Sequence, residues 1–185
     1  MINNWKEFYN SKLKEFEDKE VYDIGAGNSN SRSRFRKYIS VDADPNCKPD
    51  IVADIHNLPF ENNAIEAILC FSVLEHVKDP FKAISELHRI MKTGGRALLS
   101  VPFIWPHHPG SYKDYWRFSE DGLRVLFGNF SYLEIIKMGG YFSALANFIP
   151  SYTKINRLFR PVASFIDNLI KIRSTTPGYI IYVVK

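Results

Sequence analysis

The feature that most restricts the fold is an almost unbroken apolar run from Ala64 to Phe71. A strand with apolar side chains on both faces suits the centre of a parallel sheet, because helices then cover both sides. Stretches of helical character separate further short apolar runs, at 20–24, 38–42, 50–54, 96–101, 132–138 and 179–184. This alternation predicts an α/β fold, with a doubly wound, seven-stranded and mostly parallel sheet.

The predicted strands and helices form a single domain that covers residues 1–185. Apolar spacing predicts an amphipathic helix at 4–18. Asp79-Pro80 supplies an N-cap and a first-turn proline for a helix that runs through Met91 and is ended by Gly94-Gly95. Further helices are predicted at about 119–127, 141–149 and 161–172. The expected organisation is an N-terminal helix in 1–19, a core at 20–140, a helical insertion at 141–177 and the last strand at 178–185.

Composition and charge restrict the cellular setting. Cys47 and Cys70 have neither metal-binding spacing nor a disulfide partner pattern, which favours a reducing cytoplasm. The first residues lack the apolar stretch of a signal peptide, and no run of about 18 apolar residues is present, so no transmembrane segment is expected. The net charge is +4, and residues 137–185 contain seven Lys or Arg against one Asp. This basic region is either a solvated face or a contact with an anionic partner.

A glycine-rich turn follows the first predicted strand and reads Asp23-Ile24-Gly25-Ala26-Gly27-Asn28-Ser29. Glycine lets the backbone approach a ligand where a Cβ would stand in the way. Doubly wound sheets bind ligands beyond the carboxyl ends of their strands. Asp42 ends the second strand and can accept hydrogen bonds from a ribose diol, and Asp54 ends the third and can accept from an adenine amino group. The turn and the two carboxylates together predict a cofactor site.

Over roughly residues 20–102 the chain resembles the class I S-adenosylmethionine-dependent methyltransferases. Asp23-x-Gly25-x-Gly27 looks like their first motif, Val41-Asp42 like the acidic second motif, and Asp54-Ile55 like the adenine-binding stretch. The segment Phe71–Val77 is similar to the fourth-strand exit of the small-molecule branch. The resemblance implies S-adenosylmethionine as cofactor, S-adenosylhomocysteine as product and a Rossmann-like fold. The cofactor-binding residues it implies are Asp23, Gly25, Ala26, Gly27, Asn28, Asp42, Ala43, Asp54, Ile55, Phe71, Ser72, Val73 and His76.

Two other functions compete with methyl transfer. A nicotinamide-dependent oxidoreductase would have a third glycine where this chain has Asn30, and it would carry a Tyr-x-x-x-Lys pair that is absent here. The second alternative is a protein that binds S-adenosylmethionine without catalysis. Only ten residues, 28–37, separate the glycine turn from the second strand. We therefore expect a shortened first crossover helix. The amino-acid end of the cofactor would then contact the N-terminal helix instead.

Candidate catalytic and acceptor-binding residues follow the fifth predicted strand. His107 and His108 are candidates for the base that removes a proton from a hydroxyl acceptor, although a structural or surface role stays open for both. No third ligand accompanies them at motif spacing, so no metal is predicted. The segment Tyr112–Ser119 resembles one common in methyltransferases of polysaccharide and lipid-carrier gene clusters, which implies O-methylation of a glycan-related or other small-molecule acceptor. The acceptor contacts predicted from it are Tyr112, Tyr115, Trp116 and Arg117.

The remaining predictions concern partners. Nucleic acid is disfavoured, because Phe71-Ser72-Val73 stands where enzymes that methylate base amino groups carry an Asn/Asp-Pro-Pro-Tyr/Phe motif. In the insertion, apolar side chains stand beside Lys and Arg residues. A peripheral contact with the inner membrane surface therefore stays open beside core packing and dimerisation. We expect a monomer or a homodimer.

Overall fold

The computed structural model describes residues 5–29, 31–108, 112–149, 154–170, 172 and 175–185. Asn30, which bears on the oxidoreductase alternative, lies outside these ranges. The strands are β1 (Glu20–Ile24), β2 (Lys37–Asp42), β3 (Ile51–Val52), β4 (Ile65–Phe71), β5 (Met91–Pro102), β6 (Tyr132–Lys137) and β7 (Gly178–Val184). The helices are α1 (Trp5–Lys14), α2 (Pro80–Ile90), α3 (Glu120–Leu126), α4 (Tyr141–Ala146) and α5 (Lys154–Leu169).

The strands form one seven-stranded sheet in the order β3-β2-β1-β4-β5-β7-β6. β1 pairs in parallel with β2 on one side and β4 on the other, and β5 continues in parallel from β4. β7 runs antiparallel to both of its neighbours, β5 and β6. The predicted α/β fold with a mostly parallel sheet is confirmed. Because the chain winds outward from β1 and then returns to β4, the switch point lies between these strands, where such folds bind ligands.

The sheet is covered on both faces. One core contains side chains of α2 and α3, such as Leu87 and Leu123, packed with Ile68 of β4. The other contains Phe8 of α1 packed with Leu69, the next residue of β4. Neighbouring residues of a strand point to opposite faces. The continuous apolar run of β4 therefore supplies both cores at once, as its composition predicted.

The start of α2 follows the prediction and its end does not. The Asp79 side chain accepts a hydrogen bond from the Lys82 N–H at 2.9 Å, as expected of an N-cap. The helix ends at Ile90, so the predicted continuation through Met91 to Gly94-Gly95 is wrong. Met91 already pairs with Ile65, and four residues bulge out before pairing resumes at Arg96. Gly94 adopts a φ of 75° within this irregularity, so it serves a bulge rather than a helix end.

Other boundaries also differ. β3 contains only two residues instead of the predicted five. A 3-10 turn at Ser31–Arg34 stands in the first crossover, which agrees with the expected shortening. In the insertion, α5 begins at Lys154 rather than 161, because its apolar face starts with Ile155 and Leu158. Within the described part of the chain, no helix is both long and apolar enough to cross a bilayer.

Candidate functional site

The glycine turn after β1 is held by β2 and by the exit of β4. The N–H of Gly25 donates to the Val41 carbonyl at 2.8 Å. Gly25 has a φ of +72°, and a Cβ on it would lie 2.3 Å from Cγ2 of Val73. Gly27 has a φ of +52° with open space where its Cβ would stand. The first glycine is thus required by both conformation and close approach, and the second by conformation alone.

Asp23 supports the turn from beneath. It is buried and accepts a hydrogen bond from the Tyr38 hydroxyl. Burial raises the pKa of Asp23, and the hydrogen bonds from Tyr38 and Ser29 work against that rise. The position of Asp23 indicates an anchoring role for the loop.

Asp42 lies at the carboxyl end of β2 and is 5% exposed. Its Oδ2 accepts the Gly27 N–H at 2.7 Å, and its Oδ1 accepts the Asp44 N–H at 2.8 Å. The Tyr112 hydroxyl also donates to Oδ1, at 3.3 Å. Burial and the Asp42 charge raise the pKa of Tyr112. One carboxylate therefore ties the glycine turn to the end of β2 and meets Tyr112 across the cavity mouth.

A second carboxylate, Asp54, follows β3. Its Oδ1 accepts the backbone N–H of His56 at 2.8 Å and lies 2.6 Å from Nδ1 of the same histidine. The backbone hydrogen bond is the largest cause of a lowered pKa for Asp54. His56 was not predicted. Its only sequence signal is its position two residues after an aspartate at a strand end.

These residues surround a cavity of about 550 Å³ at the switch point. Nine of the predicted cofactor residues line it: Gly25, Gly27, Asp42, Ala43, Asp54, Ile55, Ser72, Val73 and His76. Asp23, Ala26, Asn28 and Phe71 do not, and the Phe71 ring instead lies 5.7 Å from that of Tyr9 in α1. Tyr112 and Tyr115, predicted as acceptor contacts, line this larger cavity.

A smaller cavity of about 250 Å³ adjoins the first, and Ser72 lines both. Ser72 has a φ of 54°, a conformation that few residues other than glycine adopt, and its N–H donates to the Ser100 carbonyl at 3.0 Å. The other lining residues are Glu75, Ser100, Val101, Pro102, Trp105, His108, Met138, Pro177 and Gly178. His108 therefore lies at this cavity, whereas His107 is exposed and lines neither of the two.

The wall of the smaller cavity contains a buried carboxylate. The side chain of Glu75 is 1% exposed, and neither of its oxygens accepts a hydrogen bond from another described residue. Burial raises the pKa of Glu75 to about 7, against the lowering effects of its own backbone N–H and of the Arg117 guanidinium. His76 Nε2 lies 3.8 Å from Oε1 of Glu75, and the His76 and His108 rings are 5.2 Å apart. Sequence reasoning missed Glu75, although it lies in the Phe71–Val77 segment that carried the resemblance.

The segment 112–119 is fixed by its own contacts. The Arg117 guanidinium donates to both oxygens of Asp114, whose side chain is 1% exposed, and this pair holds the pKa of Asp114 well below its usual range. The Trp116 indole N–H donates to the Val77 carbonyl at 2.8 Å, and its ring stacks near that of Phe118. Arg117 and Trp116 line neither of the two cavities. The described contacts of Arg117 and Trp116 hold this loop in place, and their predicted role as acceptor contacts stays a prediction.

The fold and the site define a class: a doubly wound protein with a glycine turn, strand-end carboxylates and a second cavity beside the first. Residues 22–99 match the family described as methyltransferase domain. An uncharacterised protein of Methanocaldococcus jannaschii is 35% identical over 95 residues, which cover 44% of this chain and 40% of that protein. The chain thus spans under half the length of this curated relative.

Solved structures share the fold. Phosphoethanolamine N-methyltransferase 2 of Haemonchus contortus, in complex with S-adenosylmethionine, aligns with a TM-score of 0.64 at 15% identity, over 96% of this chain and 52% of that one. A S-adenosylmethionine-dependent methyltransferase from Archaeoglobus fulgidus aligns with a TM-score of 0.61 at 18% identity, over 97% and 94%. Residues 22–99 therefore match a methyltransferase-domain family by sequence, and the chain has the class I methyltransferase fold.

Proposed function

We propose that the protein transfers a methyl group from S-adenosylmethionine to a hydroxyl of a small-molecule or glycan-related acceptor. The observation that carries this proposal is the pair of cavities that share Ser72. One cavity presents the glycine turn and the carboxylates of Asp42 and Asp54, and the other presents Glu75 and His108. A donor and an acceptor held in these two spaces would meet at the end of β4.

The larger cavity fits the cofactor in size and chemistry. Its volume of about 550 Å³ lies within the range of small-ligand sites, roughly 300–1,000 Å³. Gly25 and Gly27 would lie against the methionine part, Asp42 would accept from the ribose hydroxyls, and Asp54 with Ile55 would hold the adenine. When bound, S-adenosylmethionine supplies a methyl group on a sulfonium, which leaves as a neutral thioether.

The smaller cavity is the proposed acceptor site. Trp105, 39% exposed, offers an aromatic face of the kind that packs against a sugar ring. Tyr112 and Tyr115 stay proposed acceptor contacts from the side of the larger cavity. The acceptor hydroxyl must lose its proton, and His108 with Glu75 beside it are the polar groups of this cavity that can take part. His107 stays a predicted catalytic residue without a place in either cavity.

Binding measurements test the cofactor. We expect calorimetric titration to show binding of S-adenosylmethionine and S-adenosylhomocysteine and no heat with NAD. Binding of NAD alone would favour the oxidoreductase alternative and refute the proposal.

Transfer of a labelled methyl group tests catalysis against the alternative of binding alone. We expect label in sugars or lipid-linked glycans, with His108→Ala lowering turnover while cofactor affinity is kept. His107→Ala provides the comparison on the same loop, and we expect the smaller loss there. Binding without transfer to any hydroxyl acceptor in a broad panel would contradict O-methylation.

The setting of the protein is also a proposal. We place it in the cytoplasm, as a monomer or homodimer that does not act on nucleic acid. α5 exposes a row of apolar side chains, which is the surface that a peripheral contact with the inner membrane or a dimer interface would cover; the row is Ile155, Leu158, Val162, Phe165 and Leu169. Sedimentation with and without anionic vesicles separates these states, and a protein that neither binds vesicles nor dimerises would leave both without support.

A further inference from the structure

The buried carboxylate of Glu75 has no hydrogen-bond donor from another described residue. It lies in a short 3-10 turn, Leu74–His76, directly after β4. Neither oxygen receives a hydrogen bond from another described residue, and the side chain is 1% exposed. A buried ionised carboxylate is costly unless a cation or a set of donors compensates for it. The position therefore calls for a positive partner in the smaller cavity, which Glu75 lines.

The two histidines beside it are oriented by the contacts of their Nδ1 atoms. Nδ1 of His76 lies 2.8 Å from the carbonyl oxygen of Lys113, which can only accept, so this nitrogen carries the proton. Nδ1 of His108 faces the carbonyl oxygen of Pro106 at 3.2 Å and a carboxylate oxygen of Asp114 at 3.4 Å, again acceptors only. In the neutral form of each ring, Nε2 then carries the lone pair that can bind a metal. A neutral imidazole whose Nδ1 donates to a carbonyl or carboxylate is the form in which histidine binds metals.

The three residues converge on one point. Each offers a ligand atom, and these atoms all lie within 4.8 Å of one another. Two atoms bound to one Zn²⁺ at about 2.1 Å are at most about 4.2 Å apart, so small side-chain movements close the site. His108 comes from the loop after β5, which is why no ligand spacing is visible in the sequence.

We propose that Glu75, His76 and His108 bind a divalent transition-metal ion, with Zn²⁺ as the first candidate, where the acceptor cavity lined by Glu75 and His108 adjoins the larger cavity lined by His76. Two imidazoles and one carboxylate suit Zn²⁺, Mn²⁺ or Co²⁺ better than Mg²⁺, which prefers oxygen ligands. This proposal departs from the metal-free site expected from the sequence.

Its catalytic role rests on the proposed function. Three protein ligands leave coordination positions open toward the cavity, where an acceptor hydroxyl can bind. The ion lowers the pKa of that hydroxyl, and the proton leaves to solvent water. His108 then contributes to deprotonation as a ligand rather than as the base. The polar wall of the cavity thereby selects acceptors that carry a hydroxyl.

Direct metal binding tests the proposal independently of methyl transfer. Untagged, metal-stripped protein is dialysed against Zn²⁺, Mn²⁺ or Mg²⁺, and bound metal is measured by mass spectrometry. We expect one equivalent of Zn²⁺, with affinity at least about tenfold lower in Glu75→Gln and in His108→Ala. His107→Ala, an exposed histidine on the same loop, is the matched control and should bind like the wild type. The visible absorption of bound Co²⁺ reports whether nitrogen ligands are present.

Thermal unfolding provides the second readout. Without metal, Glu75→Gln should unfold at the same temperature as the wild type or a higher one, because a neutral amide replaces a carboxyl group whose ionised form is disfavoured by burial. Zn²⁺ should raise the unfolding temperature of the wild type by more than that of Glu75→Gln at the same metal concentration. Wild-type protein that binds S-adenosylmethionine and no Zn²⁺ would overturn the metal site and leave the proposed function standing. Stoichiometric Zn²⁺ without cofactor binding would do the reverse, and equal loss in His107→Ala would overturn the assignment of ligands.

Discussion

Replacement of Asp42 by Asn tests the proposed cofactor site at its most buried charged contact. Both oxygens of Asp42 are used, by the Gly27 N–H at 2.7 Å and the Asp44 N–H at 2.8 Å. An asparagine keeps the shape and offers a single oxygen, so one N–H loses its acceptor and faces the amide NH₂. We expect unfolding to become easier by about 1–3 kcal/mol, the cost of one unsatisfied buried group.

The same substitution should also weaken the binding of the cofactor. Hydrogen bonds to a charged partner contribute about 1.5–3 kcal/mol each, so loss of the carboxylate should weaken S-adenosylmethionine roughly 10- to 150-fold. Calorimetric titration gives the affinity, and urea unfolding gives the stability of the same samples.

Asp44→Asn is the matched control for this experiment. Asp44 lies two residues further on, where it accepts the Asn46 N–H at 2.9 Å, and it does not line the larger cavity. Its removal subtracts the same charge from the same loop, and we expect affinity within about twofold of the wild type. An affinity of Asp42→Asn within about threefold of the wild type would refute the assignment of Asp42 to the ribose.

Four further substitutions test the fold around the site, each by urea unfolding. Gly25→Ala and Gly27→Ala both place an alanine at a strained φ, which should lower the free energy of unfolding by about 1–3 kcal/mol. Gly25→Ala should lower it by about 1–3 kcal/mol more, because its Cβ would lie 2.3 Å from Val73. Equal losses in the two variants would contradict that contact. Asp167→Ala removes the acceptor of three backbone N–H groups at the start of α4 and should cost about 1–3 kcal/mol, with faster proteolysis of the insertion as the confirming sign. Phe127→Ala empties a fully buried position and should cost about 3–5 kcal/mol, whereas a loss below 1 kcal/mol would mean that the core is not packed as described.

Local sequence patterns were enough to predict much of the sheet and the carboxylates of the larger cavity. The bounds predicted for the first strand, 20–24, are those of β1, because a buried strand followed by Gly25 and Gly27 has a clear pattern and a clear stop. Asp42 and Asp54 were found because they follow strands, and parallel strands bring their carboxyl ends to one edge of the sheet. These features depend on side-chain period and turn chemistry, which act over a few residues.

Local pattern failed where pairing partners decide the structure. Met91 continues the apolar spacing of α2, yet it pairs with Ile65 and belongs to β5. The antiparallel direction of β7 depends on the path of the chain through the insertion, and no residue of β7 signals it.

The residues around the smaller cavity could be identified only from the tertiary structure. Arg117 has the chemistry of an anion-binding residue, and only the fold shows that Asp114 already occupies it. Glu75 lies within the family-like segment Phe71–Val77, where no local pattern marks it as a separate functional residue. His108 belongs to a loop 33 residues further along the chain. Their meeting in one cavity follows from β4 and β5 lying side by side, so that the ends of both strands open at the same edge of the sheet. Short-range periodicity contains no information about such a contact, because it describes each strand and not its neighbours.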